Sequence, residues 1–97
     1  MENIFDISNK VAVITGGAGL LGVQFAKVLA DYGANVILTD YDINECKKKV
    51  KELSNENIIA MKLDVTLKSD WIDVLAKIFN DYGSIDILVN SAAYTNK

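Results

Sequence analysis

The sequence has 97 residues, of which 51% are hydrophobic and 24% are charged, a balance typical of one small globular domain. Its formal net charge is −3, all ten cationic side chains are lysines, and it contains neither Arg nor His. These features argue against nucleic acid or an anionic membrane as the main partner. The sequence has no apolar run long enough to span a bilayer, and its first ten residues, with Glu2 and Asp6, do not resemble a signal peptide.

The single cysteine, Cys46, excludes an intramolecular disulfide and a zinc cluster. It falls on a predicted helix beside a lysine run, and we interpret it as an inert, partly buried thiol. We therefore predict a cytoplasmic protein without a metal site.

The first predicted strand, 10–15, is rich in β-branched residues, and three glycines follow it at a spacing of three: Gly16, Gly19 and Gly22. A helical pattern follows over 20–32. Its apolar stripe, expected to face the sheet, consists of Leu21, Phe25, Val28, Leu29 and Tyr32.

The same alternation continues to the end of the chain. Asp42 and Glu45 predict a capping box for the second helix, and Thr66 or Ser69 is the expected cap of the third. Further strands are predicted over 36–40, 58–63 and 85–90, and a third helix up to residue 82. The order βαβαβαβ predicts a doubly wound, parallel α/β sheet.

The third helix is expected to bury a wide apolar face. Its inward residues are predicted to be Ile72, Leu75, Ala76 and Phe79, with Trp71, Val74 and Ile78 widening the stripe.

A strand, a glycine turn and a helix in this order are typical of a dinucleotide-binding fingerprint. Gly16 would allow a sharp turn, Gly19 a close approach of a pyrophosphate, and Gly22 tight packing of the helix on the sheet. The free N–H groups at the start of that helix would face the phosphates.

Asp40 ends the second strand, where an acidic side chain can accept hydrogen bonds from the adenosine ribose hydroxyls. Its charge would repel a 2′-phosphate, and no Arg or Lys stands beside it in the sequence. We therefore predict NAD rather than NADP as the cofactor.

Two further strands end in polar residues, at Asp64 and at Asn90-Ser91. Since the carboxyl ends of parallel strands lie at one edge of a sheet, these residues are expected to converge on the ligand.

Four stretches together resemble the N-terminal half of the short-chain dehydrogenase/reductase family: 15–22, Asp40, 63–66 and 86–93. The resemblance implies a Rossmann-type sheet of order 3-2-1-4, truncated after the fourth strand, with 1–97 as a partial NAD(P)-binding domain. It implies pyrophosphate, adenine and ribose contacts for Thr15, Gly16, Gly19, Leu21, Gly22, Asp40, Asp64, Val65, Asn90 and Ala92.

Two departures from the family pattern concern its branches. The glycine at 19, with Leu20 beside it, resembles the extended branch, whose members often epimerise or dehydrate nucleotide sugars. Ser91 and Ala93 replace an Asn and a Gly of the fourth-strand motif, which otherwise resembles the ordinary branch.

The family's catalytic Tyr-x-x-x-Lys is not found in this sequence. The residues four positions after Tyr32, Tyr41 and Tyr82 are Val36, Glu45 and Asp86, and Tyr94 has Lys97 three positions on. We therefore predict no catalytic residue in this chain, which we expect to be the cofactor-binding half of a longer, homo-oligomeric enzyme and to be poorly soluble alone.

The leading hypothesis is an NAD-dependent oxidoreductase that interconverts an alcohol and a carbonyl of a small-molecule substrate by hydride transfer. The alternatives are a non-catalytic NAD(H)-binding regulatory module and an extended-branch enzyme acting on nucleotide sugars. A methyltransferase using S-adenosylmethionine fits less well, because the fourth-strand motif and the Thr before the glycines do not suit it.

Overall fold

A computed structural model describes residues 6–91 of the chain. Strands and helices alternate along it: β1 (Val11–Thr15), α1 (Leu20–Asp31), β2 (Asn35–Asp40), α2 (Ile43–Leu53), β3 (Ile58–Lys62), α3 (Lys68–Tyr82) and β4 (Ile87–Asn90). The four strands form one parallel sheet in the order β3-β2-β1-β4. The predicted fold class and strand order are therefore confirmed.

The register of the sheet aligns the carboxyl ends of its strands. Thr15 lies opposite Asn90 on β4, and Asp40 lies opposite Lys62 on β3. The polar ends predicted to converge therefore do share one edge.

Two apolar cores cover the two faces of the sheet. One lies under α1 and α2 and includes Ile14, Leu38 and Cys46, and the other lies under α3 and includes Val13 and Ile37. Every residue of β1 is buried, because this central strand is covered on both faces. Its continuous apolar run is the sequence signature of that position.

Helix α1 packs on the sheet mainly through small residues, and of its predicted apolar stripe only Leu29, which is half-buried, packs against the core. Gly22, Ala26 and Ala30 are buried, whereas Leu21 and Val28 are 55% and 54% exposed. A Cβ on Gly22 would lie 2.8 Å from the carbonyl oxygen of Gly16, so the first turn of the helix lies too close to the glycine turn for a side chain at this position.

Helix α3 also differs from the prediction. Val74 and Ile78 are buried, but Ile72 and Phe79 are 57% and 53% exposed. A four-residue spacing from Val74 to Ile78 sets the buried stripe, so the residues predicted to widen the stripe form its centre.

The caps of the helices were predicted in part. Asp42 caps α2, with its Oδ1 accepting from the amide of Glu45 at 3.1 Å. Its own amide, however, donates to Asp40 instead of to the Glu45 side chain, so the capping box is half formed. Helix α3 begins after Leu67, with no side-chain cap from Thr66 or Ser69.

No helix within residues 6–91 has the length and apolarity needed to cross a membrane.

Candidate dinucleotide-binding site

The glycine turn between β1 and α1 is folded tightly against the end of β2. Gly16 has a φ of 68°, the left-handed conformation that glycine adopts without strain, as the sequence predicted. The amide of Gly17 donates to the carbonyl oxygen of Thr39 at 2.7 Å. The Thr39 hydroxyl in turn donates to the carbonyl oxygen of Ile14 at 2.8 Å, which binds the two strand ends together.

Gly17 is a steric requirement that the sequence analysis missed. A Cβ there would lie 2.4 Å from Cγ of Leu38 and 3.1 Å from the carbonyl oxygen of Thr39. At Gly19 a Cβ would meet the carbonyl oxygen of Gly16 at 3.4 Å and nothing nearer. Within the protein the turn therefore needs glycine at 17 more than at 19.

The first turn of α1 presents backbone donors at the carboxyl edge of the sheet. The amides of Leu20, Leu21 and Gly22 have no acceptor among residues 6–91, as is usual for the first N–H groups of a helix. Val23 is the first residue of the helix whose amide is bonded, to the carbonyl oxygen of Gly19 at 3.1 Å. Three donors are thus available to an anion.

Asp40 stands beside this turn. Its Oδ2 accepts from the amide of Ala18 at 3.0 Å, and its Oδ1 accepts from the amide of Asp42 at 3.0 Å. Lys62 occupies the neighbouring position on β3, so a cation does lie beside Asp40 across the sheet, although none does along the sequence. Lys62 forms no ion pair within 4.0 Å in the described part of the chain.

On the other side of the turn, the end of β4 is bound to the end of β1. The Thr15 hydroxyl donates to Oδ1 of Asn90 at 2.9 Å. The amide and the hydroxyl of Ser91 both donate to the carbonyl oxygen of Thr15, the amide at 3.2 Å. Ser91 therefore fixes the strand end under Gly22. A Cβ added at Gly22 would lie 3.0 Å from the Ser91 hydroxyl. The predicted contact Ala92 lies outside the described residues.

The loop after β3 carries the predicted adenine contacts. Oδ1 of Asp64 accepts from the hydroxyl and amide of Thr66, at 2.6 and 3.0 Å, and these bonds hold the pKa of Asp64 below its usual value. The Trp71 indole N–H donates to the carbonyl oxygen of Val65 at 2.9 Å. Trp71, predicted from the sequence to lie on the apolar face of the third helix, thus also positions this loop.

A cavity of about 390 Å³ opens next to this loop, on the α3 side of the sheet. Its lining joins the ends of β2 and β3 to the first turns of α3 and is formed by Tyr41, Lys62, Asp64, Leu67, Asp70, Asp73 and Val74. Sequence order gives little indication of this grouping, because the residues come from three separate elements.

Cys46 is fully buried, and its thiol donates to the carbonyl oxygen of Leu38 at 3.1 Å. Burial, and secondarily the charge of Asp40, raise its pKa to about 11. The thiol is therefore protonated and inert at neutral pH, in agreement with the interpretation of the sequence.

Comparison with known proteins matches the part of the chain that forms this candidate site. The family model described as short chain dehydrogenase matches residues 10–97. The chain is 36% identical to the NAD-dependent glycerol dehydrogenase of Listeria innocua and 40% identical to the galactitol 2-dehydrogenase of Agrobacterium fabrum. These matches cover 91% and 90% of the chain and 34% of each relative, so the chain spans about a third of their length.

Solved structures show the same fold. A short-chain dehydrogenase/reductase of the glucose/ribitol dehydrogenase type from Brucella melitensis superposes with a TM-score of 0.86 and 31% identity, over 95% of this chain and 39% of that one. The 3-ketoacyl-(acyl-carrier-protein) reductase of Brucella melitensis, complexed with NADH, gives 0.77 and 28% identity, over 84% of this chain and 33% of that one.

A glycine turn at the carboxyl edge of a 3-2-1-4 parallel sheet defines a Rossmann-type nucleotide-binding domain. The extent of the family match makes the assignment specific: this chain belongs to the short-chain dehydrogenase family of oxidoreductases.

Proposed function

We propose that this chain forms the adenosine diphosphate side of an NAD site in an oxidoreductase that interconverts an alcohol and a carbonyl. The observation that carries the proposal is that three amides without an acceptor among residues 6–91, at Leu20, Leu21 and Gly22, follow the same turn that the carboxylate of Asp40 contacts through Ala18. Amides at a helix start suit a pyrophosphate, and a carboxylate beside them suits ribose hydroxyls.

The remaining predicted contacts have roles consistent with this pose. Thr15 and Asn90 hold the strand ends together under the ligand, and Asp64 with Val65 would border the adenine. When bound, the nicotinamide would supply the carbon that accepts or gives the hydride. The described residues would hold the opposite end of the cofactor, and none of them is assigned to the proton transfer.

The choice of NAD rests on the charge of Asp40. A 2′-phosphate placed on the ribose would lie against this carboxylate, and a close like-charge contact is strongly unfavourable. We expect Lys62, opposite Asp40 on the adjacent strand, to reduce this repulsion without removing it.

Titration of the chain with NADH and NADPH, followed by isothermal titration calorimetry, which detects binding through the adenosine end, tests the proposal. We expect NADH to bind at least about tenfold more tightly than NADPH, and Lys62→Gln to weaken NADPH further while leaving NADH unchanged. Equal affinities for the two dinucleotides would overturn the assignment of NAD, and no binding of either would overturn the site.

For the whole protein we propose a polyhydroxy alcohol as substrate. Two of the relatives are named for glycerol and galactitol, which supports a polyol over a nucleotide sugar. The check uses the full-length enzyme: NAD reduction at 340 nm is assayed on galactitol, ribitol and glycerol. Uridine diphosphate glucose, the competing substrate class, is followed by chromatography of its products, because epimerisation or dehydration returns the hydride and leaves no net NADH. Turnover of the nucleotide sugar alone would favour the extended-branch alternative.

A further inference from the structure

Asp40 makes two hydrogen bonds within the protein. One carboxylate oxygen accepts from the amide of Ala18 in the glycine turn, and the other accepts from the amide of Asp42 at the start of α2, each at 3.0 Å. The side chain therefore connects two loops of the candidate site. A ribose contact alone would require neither bond.

The bond to Ala18 differs in kind from the others in the turn. The amide of Gly17 donates to the carbonyl oxygen of Thr39, and the amide of Gly19 donates to the carbonyl oxygen of Gly16 at 3.2 Å. Both of these acceptors are backbone atoms. Among the three consecutive amides of the turn, the Ala18 amide is bonded to a side chain, so one substitution can remove its acceptor.

We propose that Asp40 is a positioning residue for the glycine turn: it holds Ala18 so that the following amides, from Leu20 to Gly22, face the pyrophosphate before the cofactor binds. The inference rests on the proposed function and extends it from ribose recognition to pyrophosphate binding. Pyrophosphate affinity then depends on Asp40 even when the ligand has no ribose hydroxyls.

The two roles are compatible at one carboxylate. An ionised carboxylate has about four lone-pair positions, and the backbone amides of Ala18 and Asp42 occupy one on each oxygen. The remaining positions can accept from ribose hydroxyls. An asparagine would keep one acceptor oxygen but would turn an amide N–H₂ toward one of the two backbone donors, so Asp40→Asn must lose one bond.

The test separates the two roles by changing the ligand as well as the protein. The full chain and Asp40→Asn are titrated with ADP and with 2′,3′-dideoxy-ADP, which keeps the pyrophosphate but has no ribose hydroxyls. We expect Asp40→Asn to weaken 2′,3′-dideoxy-ADP by roughly tenfold, the usual effect of losing a charge-assisted hydrogen bond, and ADP by more. An unchanged affinity for 2′,3′-dideoxy-ADP would restrict Asp40 to the ribose and overturn the proposal.

Asp42→Asn is the matched control. It removes a negative charge two residues away, and asparagine caps a helix as well as aspartate does, so the bond to the amide of Glu45 is retained. Because loss of a negative charge alone favours an anionic ligand, this control should bind both nucleotides as well as the wild type or slightly better. A loss of affinity equal to that of Asp40→Asn would show that the effect is not specific to the bond between Asp40 and Ala18 and would contradict the proposal.

Amide hydrogen exchange gives a readout that needs no ligand. The Ala18 amide of the wild-type chain should exchange more slowly than an unstructured amide and should lose that protection in Asp40→Asn but not in Asp42→Asn. Unprotected exchange in the wild type would overturn the proposal even if the variant failed to fold. If neither nucleotide binds the wild type, the proposed function fails, while the exchange of Ala18 still decides whether Asp40 holds the turn.

Discussion

The carboxylate of Asp64 at the end of β3 is held by its own loop. Thr66 donates to it twice, through its hydroxyl and its amide, and both bonds favour the ionised form. The folded pKa is therefore lowered, so the contribution of this group to stability is present above the ordinary pKa of 3.8 and is lost as the pH falls through the folded pKa.

Thr66→Val should raise the pKa of Asp64 toward 3.8, because the hydroxyl donor is removed while the backbone donor remains. The measurement is a carboxyl carbon NMR titration of the wild type and the variant. Ser69→Ala, a change in the same segment without a bond to Asp64, should leave the titration unmoved. If the pKa of Asp64 is the same in the variant as in the wild type, the bond from the Thr66 hydroxyl does not form in solution.

For Cys46 we predict a contribution to stability whose pH dependence has the opposite sign. Its folded pKa is raised from 9.0 to about 11, so its contribution to stability is complete below pH 9 and is lost as the pH rises through 11. Relative to that of Cys46→Ala, the free energy of unfolding of the wild type should therefore fall by on the order of 2 kcal/mol between pH 9 and pH 11. Urea unfolding of both proteins at pH 8 and pH 10.5 measures the difference, in which the shared titration of lysines and tyrosines cancels. A constant difference would contradict the assignment.

At the scale of elements, the packing of α1 against the glycine turn depends on Gly22. An added methyl would lie 2.8 Å from the carbonyl oxygen of Gly16 and 2.9 Å from Cα of Gly17, and both are backbone atoms that cannot turn aside. Gly22→Ala should therefore destabilise the chain by about 1–3 kcal/mol, the range found for overpacking.

Gly19→Ala is the control for this prediction, because the added methyl meets the carbonyl oxygen of Gly16 at 3.4 Å and no closer neighbour. Gly19→Ala should lower the free energy of unfolding by less than half as much as Gly22→Ala does. Thermal unfolding followed by circular dichroism compares the two variants with the wild type. Equal losses would mean that the glycine turn, and not the docking of the helix, limits stability.

At the scale of the whole molecule, apolar surface remains exposed on both faces of the sheet. Phe25 and Val28 lie on the outer side of α1, Ile72 and Phe79 on α3, and Leu88 on the edge strand β4 is 59% exposed. Within residues 6–91 no strand pairs with the outer edge of β4, and exposed apolar side chains beside such an edge favour association between chains. The prediction of poor solubility for the 97-residue chain rests on this surface.

Leu88→Lys should raise the soluble fraction and lower self-association without lowering the melting temperature, because a charge on an edge strand opposes pairing between edges. Ile87→Lys is the contrasting variant, since Ile87 packs against the core under α1, and its replacement should destabilise the fold. Light scattering and thermal unfolding of both variants give the answer. Unchanged association of Leu88→Lys would show that the β4 edge is not responsible.

The sequence alone was sufficient for the order of elements and for the positions of Gly16, Asp40 and Asn90, whereas the strand order was implied by the resemblance to the family. The order of elements and these positions depend on local patterns: apolar runs, a turn that requires positive φ, and polar residues at strand ends. The limits of prediction from the sequence appear at helices α1 and α3, where the apolar residues indicated a buried stripe that differs from the one in the structure. In α1 the buried positions are occupied by small residues instead, and at Gly22 the close approach of the glycine turn leaves no room for a side chain.

Only the tertiary structure placed Lys62 beside Asp40, Trp71 against Val65, and the Asp40 carboxylate on the amide of Ala18. Each of these contacts joins two elements of the fold. Periodicity reports on the face of one element, whereas contacts between elements depend on register and on the distance between backbones, which are set when the sheet assembles. The placement of the polar strand-end residues at the edge of the sheet was therefore predictable, and the bonds that hold them there were not.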